Sequence, residues 1–303
     1  ILSSTGALEM KEVPASLLIV GAGAIGVEFA SMYRTFGSEV TLVEMLPRIL
    51  PIEDEEVSAE LQKVLRRRKI DVLTSTKLAG VERTEGGVRV QFEGRDPIEA
   101  DFLLSAVGRK PVTENLGLEA LGIQLERGYV QVNGLMQTAV PHIYAIGDVV
   151  NTPWLAHVAT AEGLLAVEHM AGQEVHPLNY DQVPSCTYCE PEVASVGLTE
   201  AKARERGYDV QTGKFPFTAL GKAKILGKSA GFVKIVRDKK YDELLGVHII
   251  GAHATDLIAE ACVALTGEAT GQTLLHTIHA HPTLSEAMHE AAHAAVLGQA
   301  LHI

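Results

Sequence analysis

The run from His279 to Glu286 (His279-Ala280-His281-Pro282-Thr283-Leu284-Ser285-Glu286) brings imidazole and carboxylate together within eight residues. A carboxylate behind an imidazole orients the ring and raises its basicity, which suits a proton acceptor working near neutral pH. His281 with Glu286 is therefore a candidate base and its partner. The same residues also satisfy a purely structural rule, because Pro282 suits a helix start and Thr283 with Glu286 three residues on spells a capping box. Spacing alone leaves both readings open. Further along, His289 and His293 share a helix face at i, i+4 but have neither the acid nor the third ligand of a zincin site. They read as surface histidines, and no metal is expected.

A second constellation stands near the start of the chain. Gly21-Ala22-Gly23-Ala24-Ile25-Gly26 follows the apolar run Leu17 to Val20 and opens a helix-period segment from Ile25 to about Phe36. Glu44 ends the next strand, Glu39 to Glu44, at the separation typical of a dinucleotide fingerprint. Gly21 permits a tight turn, Gly23 removes a side chain where a diphosphate must approach the backbone, and Gly26 lets helix and strand pack closely. The helix N-terminus favours the diphosphate charge. Glu44 can accept from both ribose hydroxyls and would repel a 2′-phosphate, so NAD is expected over NADP.

These elements imply βαβ architecture with a parallel sheet. A second helix opens in the acidic run Glu53 to Glu56 and reaches about Arg68, followed by strands near 70–73, 78–82, 88–92 and 102–107. A middle segment contains a strand-like Ile143 to Ile146 and a helix-like stretch from Leu155 to Met170. There Asp148, after Gly147, could hold a polyol chain or cap the next helix. Ala156 and His157 would offer first-turn backbone donors to an electron-rich ring atom, or simply start a core helix. Gly108-Arg109-Lys110-Pro111 could be an ordinary turn. Beyond Asn179, strands near 194–197, 210–217, 231–237 and 244–250 precede alanine-rich helices. The fold class is thus α/β: a Rossmann-like first domain closing near Gly108, a short middle segment from about Pro111 to Leu178, and an α+β domain after Asn179.

Composition narrows the partners. The 303 residues carry 26 Lys and Arg against 38 acids, a formal charge of -12 that supplies no footprint for nucleic acid or anionic lipid. The basic run Arg66 to Lys69 closes a helix and reads as a solvated face. No stretch approaches the roughly 20 apolar residues of a membrane span, so no membrane association is expected. Three cysteines do not make a secreted disulfide scaffold, and a reducing cytoplasm is the expected compartment. Cys186-Thr187-Tyr188-Cys189 is set aside as a redox or metal pair, because a reactive pair needs a helix N-terminus to stabilise the thiolate and a zinc site needs four ligands.

Several motifs converge on one family: Ser4 to Leu8, the glycine fingerprint with Val27-Glu28, Ala106 to Pro111, Tyr144 to Val149, Leu155-Ala156-His157, Gly213 to Phe217, and the His281 block. On these the chain resembles the flavin-dependent pyridine nucleotide disulfide oxidoreductases, in particular the dihydrolipoamide dehydrogenase family, over all 303 residues and as their C-terminal two-thirds. The resemblance implies a Rossmann-like NAD domain (1–110), a partial FAD domain (111–178) and an α+β interface domain (179–303), with FAD and NAD as cofactors and a homodimer docked on the lipoyl domains and acyltransferase core of a 2-oxo acid dehydrogenase complex. It implies that Asp148 meets the ribityl chain, that the backbone at Ala156 and His157 faces the flavin pyrimidine, and that Gly108 belongs to the cofactor-binding set. Glu28 would lie beside nicotinamide and flavin, although the lysine it normally pairs with is not in this chain; otherwise it is an exposed helix acid. His281, with Glu286, would take the dithiol proton across the dimer. The family's own redox pair, two cysteines separated by four residues, is expected upstream with the rest of the FAD domain, leaving this chain inactive alone. Another NAD(P)H-dependent disulfide reductase, or a non-catalytic NAD-binding dimerising fragment, are the alternatives.

Overall fold

The computed structural model describes residues 1–303, which divide into two units: 1–107 with 184–303, and 108–183. In the first unit a short helix, α1 (Ser4–Leu8), precedes β1 (Ser16–Val20), α2 (Ala24–Phe36), β2 (Glu39–Val43), α3 (Glu55–Arg67) and β3 (Ile70–Leu73). Then come β4 (Leu78–Arg83), β5 (Val88–Phe92), β6 (Arg95–Ala100) and β7 (Phe102–Ser105). Strands β3, β2, β1 and β7 form a parallel sheet in that order. Leu17, Leu18 and Ile19 are all buried because both faces of a parallel sheet are covered, which is why β1 reads as an unbroken apolar run.

Strands β4, β5 and β6 make a separate antiparallel sheet. The sequence reading has no β6, because Arg95-Asp96-Pro97 carries two charges and a proline. As an edge strand it needs only one bonded side, and proline is tolerated there. Helix α3 starts at Glu55, later than the acidic run suggests, with the Asp54 side chain accepting from the Glu56 amide. Glu53 lies ahead of it and is buried. In the basic run that follows, Arg66, Arg67 and Lys69 are exposed, as expected of a solvated face, and Arg68 alone is half-buried. Arg68 donates to the Ser31 hydroxyl at 2.7 Å and to the Glu190 carbonyl at 2.8 Å.

The same unit contains β10 (Ser185–Thr187), β11 (Glu192–Gly197), α5 (Glu200–Glu205), β12 (Val210–Pro216), α6 (Gly221–Ile225), β13 (Phe232–Asp238), β14 (Leu244–Gly251), α7 (Ala254–Thr266), α8 (Gly271–His276) and α9 (Glu286–Leu297). The five strands form an antiparallel sheet in the order β10-β11-β14-β13-β12, with α7 against β11 and β14 and α9 against β12 and β13. The alanines of α9 do more than favour helix. A Cβ at Gly213 on β12 would stand 2.0 Å from the Ala295 amide nitrogen, so the backbones meet where neither element has bulk. Buried Lys234 on β13 ties this sheet to the starts of α3 and α5, pairing with Asp54 at 3.1 Å and with Glu56 and Glu200 at 2.8 Å.

The second unit has a two-stranded ladder, β8 (Leu125–Glu126) with β9 (Tyr129–Val130), and the helix α4 (Ala156–Met170). The expected strand at Ile143 to Ile146 is not one: Tyr144 makes a single bridge to Gln137, and Gly147 turns the chain at φ 69°. No helix in the chain is long and apolar enough to cross a membrane.

Candidate active site

The glycine fingerprint forms the turn from β1 into α2, and its three glycines meet different demands. Gly21 sits at φ 98°, and a Cβ there would be 2.4 Å from the Ala106 carbonyl oxygen. A Cβ at Gly26 would be 1.8 Å from the Gly21 carbonyl oxygen, whereas one at Gly23 would meet nothing within 4 Å. Gly21 and Gly26 are thus required by packing and backbone shape. Gly23 faces open space at the N-cap of α2, where the cap makes no side-chain bond to the first-turn amides.

Glu44, just past β2, is buried. Its Oε2 accepts the Ala22 amide at 2.8 Å and its Oε1 the Leu46 amide at 2.9 Å. The carboxylate is therefore a brace for the fingerprint turn as well as a candidate acceptor for ribose hydroxyls, since each ionised oxygen keeps a further lone pair. The residues fit a dinucleotide: an open backbone approach, a helix N-terminus for the diphosphate and an acid beyond the second strand.

Glu28, one turn into α2, is not an exposed helix acid. It is half-buried, and its Oε1 accepts the Tyr188 amide at 2.9 Å. Burial pushes its carboxyl above the ordinary value, against the opposing pull of that amide. Tyr188 as a partner carried no sequence signal, since 160 residues separate the two.

His281 and Glu286 do meet. The imidazole Nδ1 lies 2.8 Å from Oε1 of Glu286, whose Oε2 accepts the Thr283 amide at 2.8 Å. Burial alone would raise the Glu286 carboxyl; the Thr283 amide and the His281 imidazole outweigh it and hold it below the ordinary value. His281 itself is 79 % exposed, so its Nε2 edge is accessible for proton transfer. The helix-start reading is half right. Glu286 reaches back to the Thr283 amide, but Thr283 donates its hydroxyl to the Ala280 carbonyl and does not cap. Helix α9 begins only at Glu286, after a first turn bonded i to i+3 from Leu284 and Ser285.

His289 and His293 are not surface histidines. Both are partly buried, their rings 4.6 Å apart, and each has a buried Nδ1 without a partner. His279 joins them, its ring 5.5 Å from His289 and its Nε2 2.7 Å from Glu260. Their geometry forms no metal-holding group.

In the second unit, Asp148 lies in a 3-10 turn (Gly147–Val149) and does not cap α4. It pairs with Arg109 at 3.2 Å, and that guanidinium lies 4.9 Å from the centroid of Trp154. Gly108 has φ 132°, which suits glycine. Ala156 and His157 open α4 behind Leu155, whose side chain gives the first turn no cap. Glu162 accepts the Gly147 amide at 2.7 Å and the Tyr180 hydroxyl at 2.9 Å, fixing the turn that carries Asp148.

The cysteines are held as thiols. Burial pushes Cys189 up to about 12, and its Sγ donates to the Pro191 carbonyl. Cys186 is raised by burial and by Cys262, and Cys262 by burial.

The family model for pyridine nucleotide-disulphide oxidoreductases matches residues 1–163, and that for the dimerisation domain of the same family matches 183–292. A dihydrolipoyl dehydrogenase of Rhizobium etli is 50% identical over 290 residues, covering 94% of this chain and 60% of that protein. One from Bacillus subtilis is 48% identical over 307 residues, covering 100% and 65%. Among solved structures, LpdA from Mycobacterium tuberculosis superposes with a TM-score of 0.90 at 31% identity, covering 96% of this chain and 64% of that one. The HOCl-induced flavoprotein disulfide reductase RclA from Escherichia coli gives 0.89 at 30% identity, covering 96% and 67%. The expectation that the chain is the C-terminal two-thirds of such a protein is corrected to a coarser statement: it spans 60 to 65% of the length of these two curated relatives. The chain belongs to the pyridine nucleotide-disulphide oxidoreductase family.

Proposed function

We propose that the chain serves an NAD-linked flavoprotein that oxidises protein-bound dihydrolipoamide, with His281 as the base and Glu286 as its orienting partner. The observation that carries this reading is the 2.8 Å contact between His281 Nδ1 and Glu286 Oε1, which directs Nε2 outward as the proton-accepting edge. Taking the proton of a dithiol at Nε2 leaves an imidazolium that the Glu286 carboxylate stabilises. The relatives' name, dihydrolipoyl dehydrogenase, supports the substrate class.

Gly21, Gly23, Gly26 and Glu44 would hold NAD, and Glu28 would stand beside its nicotinamide. Asp148, Gly108, Ala156 and His157 would contribute to FAD binding. When bound, the flavin supplies the redox chemistry that links the dithiol to NAD⁺. We assign residues 1–110 to NAD binding, 111–178 to part of the FAD domain and 179–303 to a homodimer interface. Lipoyl domains and an acyltransferase core would be the partners, in the cytoplasm.

A second reading is a dimerising NAD-binding module without redox turnover. It is favoured by the cysteines: burial pushes all three thiols up, which disfavours the thiolate that disulfide exchange needs. The visible absorption spectrum of the purified protein, followed by dihydrolipoamide oxidation with NAD⁺, separates the two. Bound flavin with turnover that falls in His281→Gln supports the enzyme; NAD binding without flavin or turnover supports the module.

A further inference from the structure

One face of α3 forms the wall of a cleft of about 710 Å³ that lies wholly within the first unit. Glu56, Ala59, Glu60, Lys63 and Arg67 recur along it at helical spacing, and the facing wall is the end of β12 with the segment entering β13, Ser229 to Phe232. The two ends of the cleft differ in charge. At the first, cations and acids are matched within the fold: Glu56 binds Lys214 and Lys234, and Lys214 Nζ lies 5.2 Å from the centroid of the Phe232 ring. At the other, about 16 Å further along the helix axis, the donors have no acceptor. Arg66 donates to the Val72 carbonyl at 3.1 Å and Arg68 to Ser31 and Glu190, but Arg67 between them meets no acid or carbonyl of the chain.

The opposite wall adds donors in the same state. The amides of Ser229 and Ala230 and the hydroxyls of Thr218 and Ser229 bond to no group of the chain. A second, smaller cleft is lined by Ser229 and Ala230 together with Val64 and Arg68, so this segment faces the last turn of α3, where Arg67 stands. Lys63 lies four residues before Arg67 on the same helix face, and two cations at that spacing repel unless an anion lies between them. The partner of Lys63 is Glu60, at 3.2 Å, and a solvent-exposed pair of this kind holds its lysine weakly.

We propose that this cleft is a second ligand site and that it takes a phosphorylated small molecule, with the phosphoryl group on Arg67, Lys63 and the amides of Ser229 and Ala230. A guanidinium fork and successive backbone amides converging from two walls suit an anion with three acceptor oxygens better than a planar carboxylate. Ala59, Pro216 and Phe232 offer apolar contact to the body of the ligand, and the volume is that of a small-molecule site. The site is separate from the glycine fingerprint. Arg67 leads into the amino end of β3, whereas Gly21 and Glu44 stand at the carboxyl ends of β1 and β2, so the two sites lie at opposite ends of the parallel sheet.

The test is a ¹⁵N NMR titration of the purified chain, read at the Arg67 side chain and at the Ser229 and Ala230 amides, with inorganic phosphate and then phenyl phosphate as probes. Both should shift these signals saturably, phenyl phosphate about tenfold more tightly because its ring buries apolar surface. Arg67→Gln should weaken phenyl phosphate at the two amides by about tenfold, and Arg67→Lys, which keeps the charge but not the fork, should recover only part of that loss. Saturating NAD⁺ should not compete; competition would place the phosphate at the fingerprint and overturn the assignment. Shifts that do not saturate, that acetate at equal ionic strength reproduces, or that persist unchanged in Arg67→Gln overturn the proposal. Phenyl phosphate binding no more tightly than inorganic phosphate overturns it as well, since the cleft would then hold a bare ion only.

Discussion

Both oxygens of Glu286 are committed within the turn before α9: one lies 2.8 Å from Nδ1 of His281, the other accepts the Thr283 amide at the same distance. The carboxylate therefore fixes the ring and the loop together. In the flavin-loaded protein His281→Gln should lower dithiol oxidation by about 10²- to 10⁴-fold, the usual contribution of a positioned base. Glu286→Gln should cost less, since a side-chain amide can still hold the ring. Steady-state turnover with flavin content as the control decides this; turnover unchanged in His281→Gln rejects the role.

The same contact sets an acid limit. A carboxylate held below its ordinary value contributes stability above the unfolded pKa of about 4.3, and that contribution is lost as pH falls through the folded value. The Thr283 amide should lose its hydrogen-exchange protection only as pH falls below the ordinary carboxylate range, ahead of the strands of the antiparallel sheet. Protection that persists alongside that of the strands would contradict the assignment.

Two of the fingerprint glycines should separate cleanly. Gly26→Ala places a Cβ 1.8 Å from a carbonyl oxygen and should destabilise or prevent folding of the βαβ unit. Gly23→Ala meets nothing and should leave thermal stability within about 1 kcal/mol, while obstructing the diphosphate and weakening NAD binding. Equal melting temperatures with equal NAD affinity would show that the nucleotide does not approach Gly23.

Glu44 couples binding to stability. Replacing it with Ala orphans the Ala22 and Leu46 amides, at about 1–3 kcal/mol for each that stays buried. Urea unfolding should register this even without nucleotide. In Glu44→Arg a shift of preference toward NADP is expected on top of that loss, and no shift would place selectivity elsewhere.

Lys234→Met should cost about 3–5 kcal/mol, because it leaves the Asp54 carboxylate buried without its cation. The paired change Lys234→Met with Asp54→Asn should recover part of the loss, although Asp54 also caps α3. A single substitution with no effect on the urea midpoint would mean that the network is dispensable.

Much of the nucleotide fold is legible in sequence because local rules and tertiary demands agree there. A strand buried on both faces is uniformly apolar, and glycines stand where a Cβ collides with backbone. The His281–Glu286 contact is legible for the same reason, being five residues apart. What sequence hides is longer range or context-dependent. Glu28 finds its partner 160 residues away, Lys234 is buried among acids at the starts of α3 and α5, and β6 forms despite Pro97 because it is an edge. His289 and His293 look like surface residues only while the loop carrying His279 is unknown.

The most direct test of the central claim is calorimetric titration of NAD⁺ and NADP⁺ into the purified chain and its Gly23→Ala variant. The account predicts one NAD⁺ per chain, weaker NADP⁺ binding, and loss of NAD⁺ affinity in the variant at unchanged thermal stability. No NAD⁺ binding to the folded chain, or a preference for NADP⁺, would contradict it.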